Sequence, residues 1–356
     1  MAKLYGEELS RREVLRRVGD IAQVAGIRES VLSSGKARGV RALDFRTGGG
    51  LSFTVLPGRA MDIAQAEFNG KALAYISQTG VVSPAYYEAP GKGFFRSFFA
   101  GLLTTCGMAH MGVPDVDEGE ALGLHGRISN TDAQEVCVRG EWQGDDYVMR
   151  ASGVTREASF FGENIALTRT IEARLGENTI WIHDEAENLG FKRQPLMVLY
   201  HFNFGYPLVS EHSRFVTSPG EVKARNPHSE KGLADCRRFQ PPTPGYAEEL
   251  FEYDLAPDAQ GCYYAGIVND AAGLGVKLRL NKSQLPKVGE WKQMGEGEYV
   301  AGIEPLLGPI DGRSVARANG TLSYLEPLEK RCFDIELSVL SGAEDIAAFD
   351  ALAAGK

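Results

Sequence analysis

Hydrophobic residues in this chain recur at every second position far more often than at helical spacing, and that period constrains the fold more than any other feature. The run from Ile165 to Leu175 is the clearest case. Ile165, Leu167, Ile171, Ala173 and Leu175 share one face and Thr168, Thr170, Glu172 and Arg174 the other, with Arg169 alone on the wrong side. Similar alternation marks Val40 to Arg46, Leu51 to Leu56, Glu135 to Arg139, Tyr147 to Thr155, Thr179 to Glu187, Met197 to Phe204, Leu274 to Leu280 and Phe333 to Leu340. Thr47-Gly48-Gly49-Gly50 between the first two is a hairpin signal. A βαβ fold would need a crossover of roughly a dozen or more residues, usually a helix, between strands. Here the helical periods are few and the 42 glycines supply turns. The pattern therefore predicts an all-β protein, a large antiparallel sandwich.

Two helices are expected. Ser10 and Glu13 form a capping-box pattern, and Val14, Val18 and Ile21 follow at helical spacing, so residues 10 to about 24 read as one amphipathic helix. A short terminal helix is expected near Glu344 to Leu352. No fixed-period repeat and no linker between two cores is evident, which predicts an N-terminal helical extension over 1–30 and one β domain over 31–356. The expected loops are Ser83 to Gly93, Gly112 to Leu122 and Pro219 to Gly245; loops longer than about 15 residues often form lids or binding loops.

With 356 residues the chain buries enough surface to fold without a disulfide or metal staple. Its five cysteines, Cys106, Cys137, Cys236, Cys262 and Cys332, include no CxxC pair, which fits free buried thiols in a reducing compartment. A formal charge of −9 with no Lys/Arg block argues against nucleic acid as a partner. The charged N-terminus lacks a secretory core. The most apolar stretch, Phe98 to Val113, is broken by Thr, Gly and His, which argues against a membrane span. A cytoplasmic protein is expected.

Three fragments could carry chemistry. His125 stands in Leu122-Gly123-Leu124-His125-Gly126-Arg127, where the glycines allow close backbone approach to a ligand; the structural alternative is a turn histidine. In Leu199-Tyr200-His201-Phe202-Asn203-Phe204, alternation puts Leu199, His201 and Asn203 on one face and the aromatic rings on the other. There the alternative is a core histidine satisfied by Asn203. Glu304, in Ala301-Gly302-Ile303-Glu304-Pro305, is either a partnered buried acid or a strand-end carboxylate in water.

Together these fragments resemble the galactose mutarotase (aldose 1-epimerase) family, in which a His-Gly motif, a mid-chain strand His and a late Gly-x-x-Glu-Pro-like motif occur in this order. From the Ser10 helix through Pro57-Gly58-Arg59-Ala60-Met61-Asp62 to Leu325-Glu326-Pro327 the chain is similar to a bacterial branch of that superfamily. The resemblance implies a β-supersandwich that holds a sugar in an open cleft with no cofactor and no metal. It also implies Glu304 as the base at the anomeric hydroxyl, His201 as the acid at the ring oxygen, and His125 as a hydrogen-bonding partner. An ionised Glu304 would be expected to keep His201 charged. The partner implied is a small-molecule sugar, without nucleic acid or membrane, and with homodimerisation left open.

Substrate residues are less fixed by the resemblance. Arg127 follows His125-Gly126 where better known members have another Gly, and no acidic residue between His201 and Glu304 matches the one that holds a hydroxymethyl group; Asp235 and Asp254 are the candidates. Arg59 could fork onto a hydroxyl pair, carboxylate or phosphate, or pair with Asp62 to close a turn. With Arg127 and Arg96 nearby an acidic sugar is plausible. Trp291 could stack on a sugar face or pack in the core. Two other readings compete: a cupin-like metal site, weakened by the lack of His-x-His, and a carbohydrate-binding module without turnover.

Overall fold

The computed structural model describes residues 1–355. Two antiparallel sheets, of twelve and eight strands, face each other. The apolar faces predicted by alternation fill the space between them: Ile165, Leu167 and Ile171 meet Phe45, Phe53, Val55, Tyr200, Phe202 and Phe204, all fully or almost fully buried. The expected hairpin forms, with Arg41–Arg46 pairing Leu51–Leu56 around the glycine turn. The fold is a galactose mutarotase-like β-supersandwich.

Arg169, the residue out of pattern, points into this core and is 1% exposed. Its guanidinium donates to both oxygens of Asp184 at 2.8 and 2.6 Å, to Asp62 at 2.9 Å and to the Thr105 hydroxyl at 2.8 Å. Tyr200 donates to Asp184 at 2.7 Å. The network ties the strand Asn164–Arg174 of the smaller sheet to Leu103–Met108 and Gln194–Phe204 of the larger one.

The strands that build the site run side by side in the larger sheet, in the order Leu103–Met108, Gln194–Phe204, Glu298–Leu307, Lys287–Gly295, Glu249–Leu255. Their outer face is covered by a second apolar cluster that includes Phe94, Phe98, Leu124, Leu199 and Leu306, partly contributed by the chain between residues 77 and 131. Leu103–Met108 and most of Glu298–Leu307 are therefore buried on both faces.

Several local expectations are corrected. The N-terminal helix covers only Arg11–Leu15; its capping box is present, but Val14 is its only buried side chain, and Gly19-Asp20 ends the run when the Asp20 carboxylate caps a separate 3-10 turn at Ile21–Gln23. Gly26–Val31 then joins the larger sheet. The stretch Gly112 to Leu122 contains a small hairpin, and Pro219 to Gly245 contains the strand Gly220–Ala224 and a 3-10 helix, Ser229–Asp235. The terminal helix is Ala343–Ala353. Cys137 is exposed and Cys332 partly so, whereas Cys106, Cys236 and Cys262 are buried. No helix among the described residues is long and apolar enough to cross a membrane.

Candidate active site

His201 and Glu304 meet because their strands pair in a register that sets them opposite each other: Phe202 aligns with Ile303 and Leu199 with Leu306. His201 Nε2 lies 3.2 Å from Glu304 Oε1, and both side chains are about nine-tenths or more buried. Glycine makes room for the carboxylate. Gly289 aligns with Glu304 on the next strand, and a Cβ there would stand 2.9 Å from Glu304 Oε2. Gly302, two residues before Glu304 on the same face, would bring a Cβ to 3.1 Å from Oε1.

His125 arrives from a loop. It adopts a left-handed backbone, φ 59°, followed by Gly126 at φ 73°. The His125 N–H donates to the Gly112 carbonyl at 2.8 Å, and its carbonyl accepts from Gly107 N–H at 3.1 Å. A Cβ on Gly126 would sit 2.2 Å from the His110 carbonyl oxygen. The glycine after the histidine is thus required by close backbone approach. The rings of His125 and His201 are 5.8 Å apart and nearly perpendicular.

These three residues line a cleft of about 170 Å³, walled by Phe94, Phe98, Leu124 and Trp291 and open at Lys92 and Glu248. Trp291 stands edge-on to His201, centroids 5.3 Å apart, and its indole N–H donates to Glu248 at 2.9 Å. An open groove of about 690 Å³ beside Gly48 and Gly49 is larger but includes no histidine.

Burial governs the electrostatics of the pair. Desolvation, reinforced by the Glu248 charge and opposed by Arg225, pushes Glu304 up to about 8. Desolvation, with His125 adding to it, pulls His201 down to about 3, and His125 is pulled to about 4 by desolvation and by His110. The expectation that an ionised Glu304 keeps His201 charged is corrected: surrounding atoms withhold water from both groups, and each is driven toward its neutral form. Between these limits the pair holds a single proton.

The structure gathers His125, His201, Glu304 and Trp291 in the cleft and leaves the other candidates outside it. Arg59 is fully buried, with its guanidinium donating to the carbonyls of Ser129, Val82 (2.8 Å) and Ser97 (3.1 Å), so it clamps three loop segments instead of a ligand. Asp62 is consumed by Thr105 and Arg169 in the core, and no close Arg59–Asp62 ion pair forms. Arg127 is exposed away from the cleft lining, and Arg96 pairs with Glu88 at 3.3 Å. Asn203 lies beneath His201, donating to the carbonyls of Ala100 at 3.1 Å and His201 at 2.8 Å, so it shapes the strand and does not face a ligand. Asp235 and Asp254 are exposed elsewhere; the acid of this chain segment that reaches the cleft is Glu248. Its only sequence signal is an acidic pair, Glu248-Glu249, entering a strand, and Lys92, between two glycines, has none. Among the described residues no group of three or more His, Cys, Asp or Glu is arranged to hold a metal ion.

Residues 37–339 match the family described as Domain of unknown function (DUF4432). The chain belongs to that family. No curated protein matches it. Among solved structures, a Klebsiella pneumoniae protein provisionally named an aldose 1-epimerase is 26% identical to this DUF4432 chain, with a TM-score of 0.88 over 92% of this chain and 86% of the other. A galactose mutarotase-like protein of Clostridium acetobutylicum is 15% identical, with a TM-score of 0.63 over 90% and 99% of the two chains. Galactose 1-epimerase of Lactobacillus acidophilus is 13% identical, with a TM-score of 0.57 over 90% and 100%. The last two likenesses concern the fold alone.

Proposed function

We propose that this protein interconverts the anomers of a neutral sugar by acid–base catalysis at Glu304 and His201, an aldose 1-epimerase reaction. The observation that carries the reading is the 3.2 Å contact between Glu304 and His201 in an apolar cleft. Solved proteins of this fold named for aldose or galactose 1-epimerisation support it.

The chemistry requires one proton to leave the anomeric hydroxyl and another to reach the ring oxygen. The shared proton rests on Glu304 and passes to His201 across the 3.2 Å contact as the sugar binds; the carboxylate so formed takes the hydroxyl proton, and the imidazolium delivers its proton to the ring oxygen. The bond from the anomeric carbon to the ring oxygen breaks, and the electron pair of the former O–H bond becomes the carbonyl. The aldehyde turns about its bond to the neighbouring carbon and recloses on the other face, and the reverse transfers restore the pair. Each positioned group contributes about 10²–10⁴-fold. His125, held neutral, supplies a hydrogen bond to the ring oxygen or an adjacent hydroxyl.

Because the reactive state contains one proton, kcat/KM is expected to be level through the neutral range and to fall above about pH 8, as the proton held by Glu304 and His201 is lost. A profile that instead climbs through pH 8 would mean that a free carboxylate is required and that the acid lies elsewhere.

The charges in the cleft also bear on substrate. Glu304 and Glu248 face one lysine, Lys92, and none of the arginines offered for an acidic sugar lines it. With one proton between them Glu304 and His201 carry no net charge, and Lys92 is matched by Glu248, so a uronate or sugar phosphate would give up water in an apolar cleft that offers no unpaired cation in its place. Two-dimensional exchange NMR on a panel of aldoses is expected to show faster anomer exchange than in buffer for at least one neutral sugar. The matching uronate and 6-phosphate should exchange at least about tenfold more slowly. Saturable sugar binding without acceleration would leave a binding protein in place of an enzyme.

A further inference from the structure

Two turns at one end of the sandwich hold phenylalanine rings in water. The turn between Asp146–Ala158 and Asn164–Arg174 carries Phe160 and Phe161, 92% and 88% exposed, and the turn between Thr179–Asn188 and Gln194–Phe204 carries Phe191, 87% exposed. Phe160 and Phe161 pack edge to face, centroids 4.5 Å apart. The turns are neighbours: Leu189 N–H donates to the Asn164 carbonyl at 2.8 Å, and Phe161, Glu163, Lys192 and Arg193 line one groove. Leu328, 58% exposed, joins them through its N–H to the Asn188 carbonyl at 2.9 Å. At about 150–250 Å² per aromatic side chain, these side chains expose roughly 500–600 Å², the upper range for the largest apolar patch of a typical monomer.

We propose that this end of the molecule is a two-fold docking surface for a second copy of the chain. Area supports that occupant. The patch laid against itself buries roughly 1,000–1,200 Å² from these side chains alone, and a polar rim brings it into the range of specific interfaces, about 1,200–2,000 Å². Charge supports it as well. A two-fold contact must be self-complementary, and the rim carries an acid on one turn, Glu163, beside a base on the other, Lys192. In such a dimer each copy brings both an acid and a base to the seam, and the pairing proposed across it is Glu163 of one copy with Lys192 of the other. An anionic lipid surface fits less well, since the chain has a net charge of −9 and Glu163 and Glu326 stand close to the rings and to Arg193.

Light scattering after size exclusion, run on the full chain, is expected to give a dimer for the wild type and a monomer for Phe160→Ser/Phe161→Ser/Phe191→Ser. Unchanged circular dichroism is expected in the triple variant, because the rings contribute little to the core. Lys192→Glu should weaken the dimer at least tenfold, and Glu163→Lys added to it should restore most of that loss. A monomeric wild type, a triple variant that still dimerises, or a charge swap no tighter than Lys192→Glu alone would overturn the proposal. So would ring-dependent binding of the wild type to phosphatidylglycerol vesicles, which would assign the patch to a membrane.

Discussion

Glu304→Gln is expected to lower anomer exchange by about 10³-fold or more while leaving sugar binding and the fold intact, because the amide keeps the shape of the carboxyl and cannot take a proton. The same substitution is expected to cost no stability. Glu304 titrates near 4.5 when unfolded and is raised to about 8 by burial, so the folded state retains a proton that the unfolded chain has released across that interval. Stability from this site is full below pH 4.5 and is lost as pH rises through 8. Neutral Gln escapes that loss, and the variant should melt at or above the wild-type temperature at pH 8. A variant that is inactive and also unfolds earlier would point to a structural role. His201→Asn should lower turnover nearly as far, whereas His125→Asn should have a smaller effect divided between kcat and KM. Undiminished exchange in the His201 variant would remove it as the acid.

Arg169→Met is expected to have the largest effect on stability, about 3–5 kcal/mol, because it leaves Asp62 and Asp184 buried without their shared counter-charge. Asp62 already sits near 6 because desolvation outweighs the attraction of Arg169. In the variant Asp62 loses that attraction and is raised further, so the deficit should shrink as pH falls toward 6 and its carboxyl takes up a proton. Denaturant unfolding of wild type and variant at pH 7.5 and 5 measures both effects. Equal midpoints at the higher pH would show that the network contributes no stability. Activity is expected to fall with stability, since Tyr200, bonded to Asp184, precedes His201 on the same strand.

The architecture was legible wherever one sheet face is apolar and the other polar. Ile165 to Leu175 reads as a strand from sequence, and Arg169 stands out there because a charge on the buried face needs partners that only the other sheet supplies. Two of the strands around the site gave no such signal. Leu103–Met108 and most of Glu298–Leu307 are buried on both sides, which removes alternation from the sequence. The first helix was over-read because Val18 and Ile21 keep helical spacing although the helix stops at Leu15 and Asp20 caps a separate 3-10 turn. For the site, His125, His201, Glu304 and Trp291 were singled out by motif and position. Arg59 and Asp62 were misread because a Pro-Gly-Arg turn followed by an acid looks alike whether it grips a ligand or three carbonyls. Glu248 and the phenylalanine wall lie on connections whose path is set by tertiary packing, and nothing local marks them.

A crystal structure of the Glu304→Gln variant soaked with a neutral aldose that the wild type turns over tests the central claim most directly. The expected result is a pyranose in the cleft between Trp291 and Phe98, its anomeric oxygen within hydrogen-bond distance of residue 304 and its ring oxygen facing His201 or His125. A sugar bound with its anomeric carbon turned away from these groups, or held only in the outer groove beside Gly48, would contradict the account.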